Sequence, residues 1–286
     1  MATLKAIRRR VASVRNIQQI TKAMKMVSAA RLRRAQEAAF AARPYAEKLE
    51  AVLQNLASQG QDSTHPLFAA REEKNIDLLI VTSDRGLCGG FNSNLIRTAE
   101  AFIREHANQK TTISLVGRRG YDYFRRRSTP ILEHHINLFG RLTPTLAHEI
   151  GSRMSQRFVN GESDGVYILY ARFRSAISQV PTIDRMLPVV AKEHEATQTA
   201  LEYVYEPRPQ ELLETLLTRY VDMLLYRAML ESVASEHGAR MSAMENATNN
   251  AVDMIGRLTL DMNRARQASI TRELLEIVST SESLKG

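Results

Sequence analysis

The stretch MSAMENATNNAVDMIGRLTLDMNRA at residues 241–265 decides the fold, because its spacing is that of a coiled coil. Apolar and small residues recur at alternating steps of three and four, which is the repeat of a helix packed along one seam against another helix. Small residues within the repeat indicate that the two helices lie close together there. The predicted seam positions are Met241, Met244, Thr248, Ala251, Ile255, Leu258, Met262 and Ala265.

A second seam of the same kind lies at the other end of the chain. Its predicted positions are Leu4, Ile7, Val11, Val14, Ile17, Ile20, Met24 and Val27. One additional step of three residues near Ile17 predicts a stammer, a local overwinding of the coil. Neither terminal helix can bury its apolar stripe alone, so the sequence predicts that the two ends pair as an antiparallel coiled coil. Pro44 is expected to kink or interrupt the first helix.

Helix-breaking residues concentrate in the middle of the chain, where residues 60–209 hold 10 of the 13 glycines and 7 of the 8 prolines. Short β-branched runs alternate there with helical patterns, which predicts an inserted, doubly wound and mostly parallel α/β domain. The predicted strands are 76–83, 111–117 and 165–173, and the predicted helices are 92–106, 121–126 and 143–158. The predicted domains are an N-terminal helix at 1–59, the α/β domain at 72–195 and a C-terminal helix at 207–286.

Positive charge is concentrated at the N-terminus. Residues 1–48 carry a net charge of +10, against +1 for residues 49–208 and −3 for residues 209–286. Such a segment suits an acidic partner, which leaves nucleic acid, an anionic membrane surface or an acidic protein loop as candidates. Aromatic residues that could stack on bases are scarce in this segment, so a solvated helix flank or an acidic protein partner fits better than DNA.

The sequence contains no recognisable catalytic constellation. The Gly-rich turn GLCGGFN at 86–92 lacks the Gly-Lys-Ser/Thr ending of a phosphate loop, and the pair His148–Glu149 lacks the second histidine of a zinc motif. One cysteine, Cys88, excludes an internal disulfide framework. The sequence also shows no membrane span or signal peptide. No cofactor, metal or catalytic residue is therefore expected.

Four segments together resemble the gamma subunit of F-type ATP synthases, and they follow the order of that family along the chain. They are ITKAMKMVSAARLRRAQ at 20–36, TSDRGLCGGFNSNL at 82–95, YVYEPRPQELLETLL at 203–217 and NRARQASITRELLEIVS at 263–279. The resemblance implies a central rotor shaft that catalyses no reaction itself and couples proton flow to conformational change at the catalytic subunits. After the last segment, Thr280 and Ser281 replace the Gly-Ala pair common in the family.

The resemblance also implies partners and contact residues. Lys22 and Met24 match positions facing acidic loops of the beta subunits, and Arg266 and Gln267 match a polar contact with a beta subunit. The positions expected near the membrane c-ring are Tyr203, Tyr205 and Glu206. Further implied partners are the alpha subunits, which form a hexameric ring with beta, and the epsilon subunit. Because the chain begins directly in the motif, a bacterial subunit is expected, peripheral on the cytoplasmic side of the inner membrane.

Two other functions remain open at this stage. One is a basic coiled-coil protein that binds nucleic acid, for which steep loss of DNA binding with salt would be diagnostic. The other is a nucleotide-dependent α/β enzyme, for which the isolated chain would have to bind a nucleotide.

Overall fold

A computed structural model describes residues 4–56, 65–138, 142–189 and 209–283 of the chain. The helices are α1 (Leu4–Leu56), α2 (Phe91–Glu105), α3 (Arg118–Phe124), α4 (Pro144–Val159) and α5 (Pro209–Ser283), with a short 3-10 helix at Pro66–Phe68. The strands are β1 (Asn75–Val81), β2 (Lys110–Val116), β3 (Ile131–His135), β4 (Gly165–Phe173) and β5 (Gln179–Leu187). Two long terminal helices around a central α/β region confirm the predicted fold class.

The chain forms two compact units, and the boundaries between them fall within the long helices α1 and α5. The first comprises Met1–Val27 and Met241–Gly286, and the second comprises Ser28–Arg240. Of the predicted domain boundaries, residues 59, 195 and 207 lie outside the described residues, so the boundaries stay a prediction.

The first unit is an antiparallel pair formed by the two ends of the chain. The Oγ1 atoms of Thr21 and Thr248 lie 2.7 Å apart, and the Nζ atom of Lys25 lies 2.6 Å from the Oε1 atom of Glu245. Position numbers rise in α1 as they fall in α5, which is the antiparallel arrangement that the sequence predicts. All eight predicted seam positions of α5 are buried or half-buried.

The predicted seam of α1 is correct as far as Val14; beyond it Met24 is half-buried, but Ile17, Ile20 and Val27 are wrong. Ile17, Ile20 and Val27 are 50, 59 and 53 % exposed, so they do not face α5. The seam continues instead at regular steps of four and three through polar residues that are buried or half-buried, namely Gln18, Thr21, Lys25 and Ser28. There is consequently no stammer in α1. The polar pairings with α5 replace apolar packing at this level.

The second unit is built on a five-stranded sheet in the order β3-β2-β1-β4-β5, in which only β5 is antiparallel to its neighbour. Strand β1 is buried along both faces, since Leu79 and Val81 pack into one apolar cluster and Leu78 and Ile80 into another. A parallel sheet requires such double coverage because its crossover helices lie on both faces.

Each face of the sheet has its own core. On one face the core is formed by side chains of α4 and α5, including Phe158 and Leu225, together with the C-terminal part of α1. On the other face it is formed by α2 and α3, including Leu95 and Phe124.

Helix α1 runs through its proline without interruption. It continues past Pro44 to Leu56, so the predicted restart there is wrong, and the alternative of a kink stays a prediction. Leu49 and Leu53 beyond the proline are buried in the core shared with α4 and α5. Apolar packing of this last part of the helix therefore offsets the backbone hydrogen bond that a proline cannot donate.

Candidate functional site

Four residues form what we call the polar layer of the coiled coil: Thr21, Lys25, Glu245 and Thr248. The first two candidate contact residues, Lys22 and Met24, lie at the same level of α1. Thr21 and Thr248 are joined side chain to side chain, and the ion pair between Lys25 and Glu245 lies one helical turn away. Both threonine hydroxyls also reach carbonyl oxygens of their own helices, Gln18 and Met244. The pairing therefore defines the register of α1 against α5 between residues 18 and 25.

Lys22 and Met24 lie within this layer and differ in exposure. Lys22 is exposed, whereas Met24 is half-buried. The exposed residues Ile17, Ile20 and Val27, which we call the α1 outer stripe, occur on the same stretch of helix. A run of exposed large apolar side chains on a helix indicates a surface that another protein covers.

Arg266 and Gln267 lie on α5 at about the level where the described part of α1 begins, given the register of Thr21 against Thr248 and Lys25 against Glu245. Their side chains are exposed, as is every described side chain from Arg266 to Ser281. Five of the exposed side chains in this stretch are large and apolar, with 50 to 65 % of their surface accessible: Ile270, Leu274, Leu275, Ile277 and Val278. We call the stretch from residue 266 to residue 281 the α5 extension.

The two pairs of predicted contact residues do not form one site. Met24 lies at the level of residues 245–248 of α5, and a rise of 1.5 Å per residue places Gln267 about 30 Å farther along the helix. The coiled coil thus carries two candidate contact zones at different levels. Tyr203, Tyr205 and Glu206 lie outside the described residues, so their expected role stays a prediction.

The Gly-rich turn after β1 is packed against α5 within the second unit. Arg240 donates a hydrogen bond of 3.1 Å from its guanidinium to the carbonyl oxygen of Gly86. The backbone has positive φ at Leu87 and Gly89, and Cys88 between them is 2 % exposed. Burial raises the pKa of the Cys88 thiol, which disfavours the reactive thiolate.

A cluster of buried charged residues supports this turn. Arg240 lies 2.6 Å from Glu236 and 3.3 Å from the Nδ1 atom of His237, and all three residues are less than 9 % exposed. Burial raises the pKa of Glu236, while Arg240 opposes that shift. Burial, together with the charges of Arg240 and Arg31, lowers the pKa of His237 to about 4. His237 is therefore neutral at pH 7 and leaves the charge of Arg240 to pair with Glu236.

Another charged surface escaped the sequence analysis. Exposed arginines occur at both ends of the short helix α3, at Arg118 and Arg119 in its first turn and at Arg125, Arg126 and Arg127 after it. The density of arginine, five within ten residues, was the available signal.

Within the part of the chain that the structure describes, no group of three or more potential metal ligands occurs. Among the described helices, none carries an apolar stretch of the length needed to span a bilayer.

Comparison with known proteins gives a consistent result. A family model described as "ATP synthase" matches residues 3–284. Proteins named "ATP synthase gamma chain" from Geobacter sp. strain M21 and from Pelotomaculum thermopropionicum are 49 and 45 % identical to this chain, with 100 % of each chain covered.

Solved structures show the same architecture. A chain of the Tetrahymena thermophila mitochondrial ATP synthase, from a structure of the central stalk and c-ring, is 27 % identical with a TM-score of 0.64. The match covers 80 % of this chain and 99 % of that one. A chain of the Euglena gracilis enzyme is 21 % identical with a TM-score of 0.69, covering 98 and 94 % of the two chains, and supports the fold alone.

Proposed function

The chain belongs to the ATP synthase gamma-chain family, and from that premise we propose how its surfaces act in an F-type ATP synthase. A similar chain comes from a structure of the central stalk and c-ring of a mitochondrial ATP synthase. We propose that the present chain rotates within a ring of alpha and beta subunits, couples that rotation to proton flow through the membrane c-ring, and catalyses no reaction itself. The alternatives of a nucleic-acid-binding protein and a nucleotide-dependent enzyme are not favoured.

The observation that carries the proposal is the surface of the α5 extension. The described side chains between Arg266 and Ser281 are all exposed. Five of them are large and apolar: Ile270, Leu274, Leu275, Ile277 and Val278. An exposed helix with this composition gains stability when another protein removes its apolar surface from water. Enclosure by a ring of alpha and beta subunits would provide that cover, and the α1 outer stripe supports the same interpretation at a second level.

The two contact zones can couple the angle of the rotor to the conformations of the ring subunits, because each angle brings different residues into contact with each subunit. A rotor that offers each catalytic subunit a different surface favours a different conformation in each of them. In this account Lys22 and Met24 face acidic loops of the beta subunits, where charge complementarity attracts the basic α1 helix. Arg266 and Gln267 make a polar contact with a beta subunit at the other zone.

The second unit provides the base of the stalk in this proposal. We expect the α/β region to bind the epsilon subunit, and residues Tyr203, Tyr205 and Glu206 to approach the c-ring. The chain would then be attached to the cytoplasmic face of a bacterial inner membrane through its partners.

Co-purification tests the proposal. A tagged full-length chain, expressed with its natural partners and extracted from membranes, should bring down the other ATP synthase subunits. Replacing Ile270, Leu274 and Ile277 together by Ser should weaken recovery of alpha and beta, whereas the same change at the exposed polar positions Thr271, Arg272 and Glu273 serves as a matched control for disturbance of the helix. ATP turnover by the purified chain alone, lost on mutation of an α/β residue, would overturn the proposal.

A further inference from the structure

Positive charge in the second unit is concentrated around α3. Residues 117–128 carry five arginines and one acid, a net charge of +4, although residues 49–208 as a whole carry only +1. The exposed arginines of this group, which we call the arginine patch, are Arg118, Arg119, Arg125, Arg126 and Arg127. None of these residues belongs to the contact zones of the coiled coil.

Aromatic rings hold two of the guanidinium groups in place. The Cζ atom of Arg127 lies 4.7 Å from the ring centre of Tyr123, and that of Arg125 lies 5.8 Å from the ring centre of Tyr121. Tyr121 is itself stacked on His134, with 4.1 Å between the ring centres. Such stacking restricts a long side chain before a ligand arrives, so less conformational entropy is lost on binding.

Polar contacts add to this ordering. The Tyr123 hydroxyl donates to Glu100 and accepts a hydrogen bond of 2.8 Å from Arg127, while Arg125 lies 3.4 Å from Asp122. Each of these contacts leaves further N–H donors on the guanidinium groups, which carry five each.

Arg118, at the start of α3, is ordered by a different contact. Its guanidinium donates a hydrogen bond of 3.0 Å to the side-chain oxygen of Asn137. Arg119 follows Arg118 in the first turn of α3, and Arg126 is a further exposed cation after the end of the helix. The patch therefore presents several guanidinium groups, at least three of them held by neighbouring side chains, along about 10 Å of helix.

We propose that the arginine patch binds an acidic polypeptide segment of a partner protein. The composition favours a protein partner, because arginine and tyrosine are the residues enriched at protein interfaces, and the group of five cations includes no lysine. The dimensions agree as well. Alternate side chains of an extended peptide stand about 7 Å apart, so two carboxylates on one side of the peptide fit the length of the patch.

Nucleic acid and lipid phosphates fit less well. Tyr121 is occupied by His134 and Arg125, and Tyr123 by Arg127, so these rings offer no stacking platform for bases. Asp122 and Glu100 lie among the arginines, so positive and negative groups alternate on this surface. Carboxylates spaced along a peptide can pair with individual guanidinium groups and avoid these two acids, whereas a continuous row of phosphates cannot.

Arginine footprinting on the full-length chain tests the proposal at the level of single residues. The probe is a synthetic peptide of alternating Glu and Gly, and its control is the matching Gln–Gly peptide. Phenylglyoxal modification of each arginine is followed by mass spectrometry with and without peptide. The acidic peptide should slow modification of the patch arginines more than that of Arg33, Arg34 and Arg174, which are also exposed.

Two matched triple variants distinguish binding at the arginine patch from a general effect of the net charge of the chain. Replacing Arg125, Arg126 and Arg127 by Gln should weaken binding of the acidic peptide about tenfold at low salt. Replacing Arg33, Arg34 and Arg174 by Gln removes the same charge and should change binding less than about twofold. Circular dichroism spectra of both variants, compared with wild type, serve as the control for correct folding.

Two outcomes would overturn the proposal. Equal weakening in both triple variants would mean that the peptide senses only net charge. Protection of the patch by phosphatidylglycerol vesicles or duplex DNA, without protection by the acidic peptide, would assign the surface to a phosphate-bearing ligand. Neither outcome bears on the coiled-coil contacts, so the proposed function is tested separately.

Discussion

The coiled coil and the α/β region differ in how far their large apolar side chains are buried. In the α/β region Leu78, Leu79 and Ile80 are completely buried between two cores. In the coiled coil Ile17 and Ile20 are at least half exposed, while the seam beside them contains a pair of threonines. The α/β region thus buries its large apolar side chains within the chain, whereas the coiled coil leaves apolar side chains exposed and available for contacts with partners.

This difference separates stability from function within one sequence. Substitutions in the α/β cores should lower the free energy of unfolding by large amounts. Substitutions on the coiled coil should cost the isolated chain little and act mainly on contacts with partners.

The largest effect on stability is expected at the buried ion pair between α4 and β1. Arg157 lies 2.9 Å from Asp77, whose side chain is only 3 % exposed, so Arg157→Ala leaves a buried carboxylate without its partner. We expect a loss of ~3–5 kcal/mol in the free energy of unfolding, measured by urea denaturation of the full chain.

A matched substitution in the coiled coil gives the other side of the comparison. Lys25 pairs with Glu245, and 39 and 48 % of the two side chains are exposed. Lys25→Ala should therefore change stability by less than ~1 kcal/mol. Equal losses for Lys25→Ala and Arg157→Ala would break the contrast between the two regions.

A pH effect of intermediate size is expected from His237. Burial, Arg240 and Arg31 lower its pKa to about 4 in the folded chain, below the ordinary value of 6.5. The unfolded chain therefore takes up the proton first, and stability should fall by ~2–3 kcal/mol as pH decreases from 6.5 to 4.

The variant His237→Gln isolates this contribution. Glu236 acts in the opposite direction, because burial raises its pKa and the folded chain gains relative stability on protonating it. Wild type should consequently lose more stability than His237→Gln over the same pH range. Parallel stability curves for the two proteins would contradict the assignment.

A small effect is also expected in the hydroxyl pair of the coiled coil. Thr21→Val removes one partner of the hydroxyl pair, but the Thr248 hydroxyl keeps its bond to the Met244 carbonyl, so the cost should be about 1 kcal/mol. Replacing both threonines by Val should cost less than the sum of the two single changes. Thermal denaturation in a double-mutant cycle measures this coupling, and strictly additive losses would show that the pair does not act as a unit.

The sequence predicts the seam of α5 completely and that of α1 only in part, for a physical reason. In α5 the seam positions from Met241 to Ala265 are the ones that the apolar repeat identifies. In α1 the outer stripe is more apolar than the seam beside it, where Gln18 and Thr21 stand. Periodicity alone cannot distinguish an apolar residue that faces α5 from one that faces a partner.

The α/β region shows a similar limit. Strands β1, β2 and β4 have continuous apolar runs and are predicted, whereas β3 and β5 at the two edges contain charged residues such as Glu133 and Arg185 and are missed. The four candidate contact residues of the coiled coil come from family resemblance, because nothing in their spacing distinguishes them from other helix residues. The density of arginine around α3 is present in the sequence, but the contacts of Arg125 and Arg127 with tyrosine rings depend on the folded structure.

Proton transport per ATP hydrolysed, in membrane vesicles that carry Met24→Lys or Met24→Ala, tests the central claim most directly. A lysine at this half-buried position can form an additional ion pair with an acidic loop, worth ~1–3 kcal/mol at some rotor angles and absent at others. We predict that Met24→Lys lowers the ratio of protons transported to ATP hydrolysed, while Met24→Ala leaves it close to wild type. Equal ratios in all three proteins would contradict the claim that this level of the coiled coil faces a charged partner whose contact depends on rotor angle.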